Sequence, residues 1–153
     1  MDAPPSLIDD LVAANRILAG LGVVDGFGHV SARHPVHPSR YLLSRSLAPE
    51  LVTAADLMTF DLASRPQDGD ARTTYLERFI HGEIYARRPD VHAIVHSHSP
   101  AVVPFAASSV PLRPVYHMSA FLAGGARVAI QRVRFEVERH DVGRRDECRR
   151  ERA

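Results

Sequence analysis

Residues 90–100 read Asp-Val-His-Ala-Ile-Val-His-Ser-His-Ser-Pro, with His96 and His98 one residue apart at the end of an apolar run and His92 four residues before His96. On a strand, residues i and i+2 share a face and lie about 6.6 Å apart. Their imidazoles can therefore converge on one ion at a Zn–N distance of about 2.0–2.1 Å. His92 shares that face but lies about 13 Å from His96, too far to join the same ion without a bend. Two imidazoles need at least one further ligand. The alternative is a pair of edge-strand histidines that face solvent or bond backbone carbonyls. Upstream stands Glu77, a carboxylate suited to act as general base beside a metal-polarised carbonyl. The same residue closes Thr74-Tyr75-Leu76-Glu77, a match to the S/T-x-x-E capping box, so a purely structural role is open to it as well.

These residues need a scaffold, and the pattern around them supplies one. Residues 6–22 place Leu7, Leu11, Ile17, Leu18 and Leu21 at helical spacing, with Ser6 available as N-cap, Asp9 at the capping-box position and Gly20 and Gly22 as stop signals. The stretch from Val23 to Pro35 reads as a turn and a short strand, Arg40–Ser46 as a second strand, and Val52–Leu62 as a helical turn running into a third. Residues 64–72 are loop by composition. From 74 to 88, Leu76, Phe79, Ile80, Ile84 and Tyr85 fall on one face of a helix that "RPD" closes. Residues 91–99 then alternate as a strand that Pro100 ends, followed by a short helix or turn, a strand or loop at "LRPVYHM" and a small-residue connection. Helices interleaved with strands indicate an α/β domain.

Composition narrows the chemistry. Among 153 residues all nineteen basic residues are arginine, so the lysine Schiff base is closed to this chain. The net charge of +1 argues against a nucleic-acid binder. With one cysteine, Cys148, no long apolar run and no signal-like start, a cytoplasmic setting without membrane association is expected. Residues 126–153 differ from the rest: fifteen of these 28 residues are charged, against 22 of the preceding 125. They read as a solvated, atypical Arg-rich tail following a domain that spans 1–125.

"ERFIHGEIYARRPDVHAIVHSHSP", with "GHVSAR" upstream, resembles the class II aldolase/adducin family over residues 7–125, and the shared motifs occur in the same order. The family includes fuculose-phosphate aldolase and ribulose-phosphate 4-epimerase. The resemblance implies a three-layer α/β/α sandwich and a divalent metal ion, zinc ahead of manganese, bound by His96 and His98. It implies Glu77 as the acid/base residue that moves a proton beside an enediolate-like oxyanion. It also implies a small-molecule substrate and a homotetramer with sites between subunits.

The departures from the family pattern are specific. Sugar-phosphate members usually carry "GN-x-S" where this chain has Gly28-His29-Val30-Ser31, and a Ser pair where it has Tyr75-Leu76; those positions cradle the phosphate in the relatives. An unphosphorylated substrate is therefore expected, with His29, Ser31, Ser44 and Arg45 around it and Arg33 or Arg45 offering a fork for a carboxylate. "HSHSPAVVPFA" and "PVYHMSAFL" resemble the branch that decarboxylates hydroxylated aromatic acids, which makes His117 a candidate to protonate the carbanion. Nothing after Gly125 matches the "R-G-H-G"-like turn that carries a third metal-binding histidine in relatives, so the fold is expected to be incomplete at the C-terminus, with His140 the one candidate there. Two functions follow: a metal-dependent carbon–carbon lyase, decarboxylase ahead of aldolase, or a truncated, non-catalytic member of the fold that binds metal weakly.

Overall fold

The computed structural model describes residues 2–67 and 69–122; the Arg-rich tail, His140 and Cys148 lie outside the described residues. The chain divides into two compact units between Ser99 and Pro100. The first holds α1 (Pro5–Gly20), β1 (His29–Arg33), β2 (Arg40–Ser44), β3 (Leu57–Asp61), α2 (Arg78–Arg87) and β4 (Ala93–His96). The described part of the second holds α3 (Val103–Ala107) and a 3-10 turn, His117–Leu122. No described helix is long and apolar enough to cross a membrane.

All the pairings are antiparallel and the strand order is β3-β2-β1-β4, so the strand that arrives last closes onto β1. Because side chains alternate along a strand, the sheet has two distinct faces. Val30, Ala32 and Leu42 turn to one side and pack with Leu11, Val52 and Leu57 beneath α1. Tyr41, Leu43, Met58 and Phe60 turn to the other and pack with Tyr75 and Tyr85, the latter on α2. This is the three-layer α/β/α arrangement that the family resemblance implies.

The helix ends and faces differ from expectation in instructive ways. α1 begins at Pro5 with Pro4 at the N-cap, and no side chain caps it, so Ser6 and Asp9 form no capping box. A proline at the first helical position has its φ already set and lacks one of the N–H groups a cap would serve. Leu7, Leu11 and Leu18 join the core as predicted, but Ile17 and Leu21 are exposed. Buried Asn15 occupies the inner face instead: its Nδ2 donates to the Leu11 carbonyl at 2.8 Å and its Oδ1 accepts from the Val30 N–H at 3.2 Å, joining α1 to β1.

Only part of the apolar face predicted for α2 is buried: Tyr85 is, and Ile80 and Ile84 are half-buried. Leu76 is 80% exposed and Phe79 50%, whereas His81, Gly82 and Tyr85 face the sheet. The helix starts at Arg78, Glu77 is its N-cap, and no side chain caps that end, so the Thr74–Glu77 capping box does not form. A capping box does form at Thr53 and Asp56, before β3. The rotation of α2 follows from close packing: a Cβ on Gly82 would lie 2.6 Å from the Leu62 carbonyl oxygen and closer still to Ser64 Oγ. Elsewhere in a helix Gly→Ala gains about 1 kcal/mol. Here Gly82→Ala is expected to destabilise by about 1–3 kcal/mol through overpacking, read as a lower urea midpoint at unchanged slope.

Candidate active site

The site begins with the β1–β4 register, in which His29 stands directly opposite His96, Val30 opposite Val95 and Ser31 opposite Ile94. His29, Ser31, Ile94 and His96 therefore share the α2 side of the sheet. Gly28 permits the approach, because a Cβ there would lie 3.0 Å from the His96 carbonyl oxygen and 2.6 Å from the Val24 Cβ. Beyond β4 the Ser97 hydroxyl donates to the Val23 carbonyl, which holds the His-Ser-His segment against the α1–β1 connection.

So held, His96 and His98 bring their Nε2 atoms within 3.0 Å of each other, their rings edge to face. Asp25 steadies the outer ring: its Oδ1 lies 3.2 Å from His98 Nδ1 and accepts from the backbone N–H groups of Phe27 at 3.1 Å and Gly28 at 2.8 Å. Burial pushes the Asp25 carboxyl up, but the bonds from His98 and the two amides outweigh it and leave its pKa below the ordinary value. A carboxylate on Nδ1 places the proton there and frees Nε2 as a lone-pair donor, the usual support for a metal-binding imidazole. In chemical type and convergence the pair suits a divalent ion. Among the described residues, however, no group of three His, Cys, Asp or Glu side chains is placed to hold one.

Behind His96 lies a stack of rings. His29 sits 4.8 Å from His96 and 4.1 Å from Tyr75, nearly parallel to both, and 4.9 Å from His81. Its Nδ1 donates to the Phe27 carbonyl at 3.0 Å. The Tyr75 hydroxyl is held by the Leu47 backbone and lies 3.3 Å from Ser44 Oγ. His81 Nδ1 lies 2.6 Å from Ser31 Oγ, which lies 2.8 Å from the Tyr85 hydroxyl. The Nε2 atoms of His29 and His81 are enclosed and have no hydrogen-bond partner among the described residues. Burial drives both toward the neutral form, His81 down to about 3 and His29 to about 4. Burial also lowers His96, with His98 adding repulsion, while the negative charge of Glu77 acts against the lowering at both His96 and His29.

The structure thus brings His29, His96 and His98 to one end of the β1–β4 ladder, within electrostatic reach of Glu77, with Ser31 beside His81 and Ser44 beside the Tyr75 hydroxyl. Both serines are fully buried with their hydroxyls beside aromatic partners, so they lie under the site and not in its opening. Arg45 pairs with Asp56 through Nε at 2.7 Å. Arg33 does not offer a fork to a carboxylate, because its N–H groups are directed to the carbonyls of Val91 at 2.9 Å, Pro38 at 2.7 Å, Tyr85 at 2.8 Å and Arg88 at 2.9 Å. His92 lines an open depression with Pro4, Leu7 and Asp10, on the α1 side. His117 is exposed in the second unit, its ring edge-on to Tyr116. Sequence reasoning passed over Asp25, His81 and the ring of Tyr75. His81 carried one usable signal, its i, i+4 spacing to both Glu77 and Tyr85 on a helix.

Residues 9–146 match the class II aldolase and adducin N-terminal domain. This chain belongs to that family. It is 38% identical over 125 residues to the decarboxylase tropJ of Talaromyces stipitatus, covering 80% of this chain and 47% of that protein. It is 33% identical over 129 residues to the 3,4-dihydroxyphthalate decarboxylase of Arthrobacter keyseri, covering 78% and 50%. Among solved structures the L-fuculose 1-phosphate aldolase of Glaciozyma antarctica superposes with a TM-score of 0.68 at 30% identity, over 77% of this chain and 50% of that one. The chain spans about half the length of the curated relatives it matches. The family typically uses a divalent metal ion.

The buried imidazoles make stability sensitive to acid. The pKa of His81 falls from 6.5 in the unfolded chain to about 3 in the folded one, so below pH 6.5 the unfolded chain binds the extra proton. Its contribution is fully present above pH 6.5 and is lost progressively as pH falls toward 3. The urea midpoint should drop between pH 7 and pH 5, and His81→Asn should flatten that slope; an equal slope in the variant would show that His81 does not carry it.

Proposed function

We propose that this chain carries the metal- and substrate-binding region of a carbon–carbon lyase, a decarboxylase ahead of an aldolase, that acts on a small unphosphorylated hydroxy-acid or hydroxy-carbonyl compound. The observation that carries the reading is the convergence of His96 Nε2 and His98 Nε2 at 3.0 Å, with Asp25 on the far nitrogen of His98. These two histidines would hold the ion, zinc ahead of manganese. When bound, such an ion supplies Lewis-acid stabilisation of the negative charge that develops on a substrate oxygen beside the breaking bond.

The remaining work falls to the chain. The Glu77 carboxylate is free of the helix-capping bonds that would occupy it and acts electrostatically on His29 and His96. In our reading it takes a proton from a substrate hydroxyl and then, as the carboxylic acid, returns that proton to the carbon that has lost carbon dioxide or, in aldol cleavage, to the carbon released by the breaking bond. His117 is the second candidate for that proton. Arg45, half-exposed beside Asp56, would meet the substrate carboxylate. The choice of an unphosphorylated substrate is supported by the stacking of His29 on Tyr75 at 4.1 Å. His29 and Tyr75, two of the positions that depart from the sugar-phosphate pattern, are in contact and fill space with rings where those relatives cradle a phosphate. The matched decarboxylases point the same way. A homotetramer with sites between subunits completes the proposal.

A competing reading, a member of the fold without turnover, draws on the two-ligand geometry of the described residues. Elemental analysis of the full chain, purified without an affinity tag, separates the two. Near-stoichiometric divalent metal is expected in the wild type and none in His96→Ala/His98→Ala. Glu77→Gln should retain the metal and lose carbon dioxide release from hydroxylated aromatic acids by about a hundredfold or more. A wild type that stays metal-free after the ion is added back would leave the non-catalytic reading.

A further inference from the structure

We propose that His81 is a positioning residue for His96, acting through His29 from the far side of the ring stack; the inference rests on the reading of His96 and His98 as an ion-binding pair. His81 is fully buried on the sheet-facing side of α2, one helical turn before Tyr85. His29 and Ser31, two apart on β1, face it together. Ser31 Oγ lies between His81 Nδ1 at 2.6 Å and the Tyr85 hydroxyl at 2.8 Å, so a hydrogen-bonded chain fixes the plane of the His81 ring. That ring lies 4.9 Å from His29, which lies 4.8 Å from His96. The orientation of His96, which decides whether its Nε2 meets that of His98, is therefore set from α2 through two buried imidazoles.

A purely packing role would be better filled by a hydrocarbon side chain. The enclosed Nε2 of His81 has no partner among the described residues, and an unsatisfied buried polar atom is destabilising. What the imidazole provides, and phenylalanine would not, is Nδ1 toward Ser31. A leucine or phenylalanine at 81 would leave Ser31 with Tyr85 alone and release the ring plane. The amide of asparagine places a polar atom close to the position of Nδ1 and would preserve the bond.

Long-range proton–nitrogen correlation of the imidazoles in the full chain, read beside far-UV circular dichroism, tests this without metal, and the visible absorption of added cobalt(II) gives a second readout. In the wild type His96 should show a single tautomer with its proton on Nε2, donated to His98. His81→Phe should average the His96 tautomers and weaken cobalt binding about tenfold, and His81→Asn should restore both. Wild-type His96 signals and cobalt affinity in His81→Phe would overturn the proposal, as would equal losses in the Phe and Asn variants, which mark a merely structural role. If His81→Phe does not fold, Ser31→Ala removes the same hydrogen bond and is held to the same two results. A wild type that takes up no cobalt would defeat the ion-binding reading, while the imidazole spectra would still decide whether His81 orders His96.

Discussion

The pairing of β4 with β1 is the constraint on which the site depends. A slip of one residue would turn His96 to the opposite face and put Val95 in its place. β4 is an edge strand of the described sheet, with Val95 exposed on it, so burial alone does little to fix the register. Arg33 does more. Its backbone N–H donates to the His92 carbonyl at 2.8 Å, extending the ladder, while its guanidinium gathers carbonyls from the end of α2 and the turn that follows. One buried arginine thereby ties the helix C-terminus, the turn and the entry to β4 to the end of β1. The carbonyls at a helix C-terminus are natural partners for a cation.

From that register the electrostatics follow. Four imidazoles lie along one short path, two of them enclosed and driven toward the neutral form by burial. Neutral rings can stack closely, as His29 does on Tyr75 and His96, where charged ones would repel. The carboxylates stand at the outside: Asp25 on His98, Glu77 near His29 and His96. The arrangement keeps a lone pair on His98 Nε2, facing the Nε2 of His96, and leaves negative charge at the rim.

The strand boundaries near His29–Arg33, Arg40–Ser44 and Leu57–Asp61 and the His-x-His at the end of β4 were legible in the sequence, because they rest on alternation and turn residues, whereas the layers came from the family resemblance. The buried face of α2 was legible only in part, through Tyr85. Leu76 and Phe79 carry the hydrophobic signal but lie outside, and the inner face is built from His81, Gly82 and Tyr85, chosen for hydrogen bonding and close approach. Arg33 misled for a related reason: its type suits a carboxylate, but its surroundings present carbonyls. The capping box at Glu77 failed because the chain enters α2 with Glu77 itself at the N-cap. Each of these depends on what lies across the fold, which local spacing does not encode.

The departures from the sugar-phosphate pattern gain meaning together, since His29 and Tyr75 stack and form one filled wall behind His96. The central claim is that this wall and the β1–β4 register present His96 and His98 to a single divalent ion. X-ray absorption at the zinc edge of the zinc-loaded full chain tests it most directly. The account predicts at least two imidazole ligands at about 2.0–2.1 Å, with their outer-shell scattering lost in His96→Ala/His98→Ala. A zinc environment of light atoms without imidazole scattering, unchanged in that variant, would contradict it.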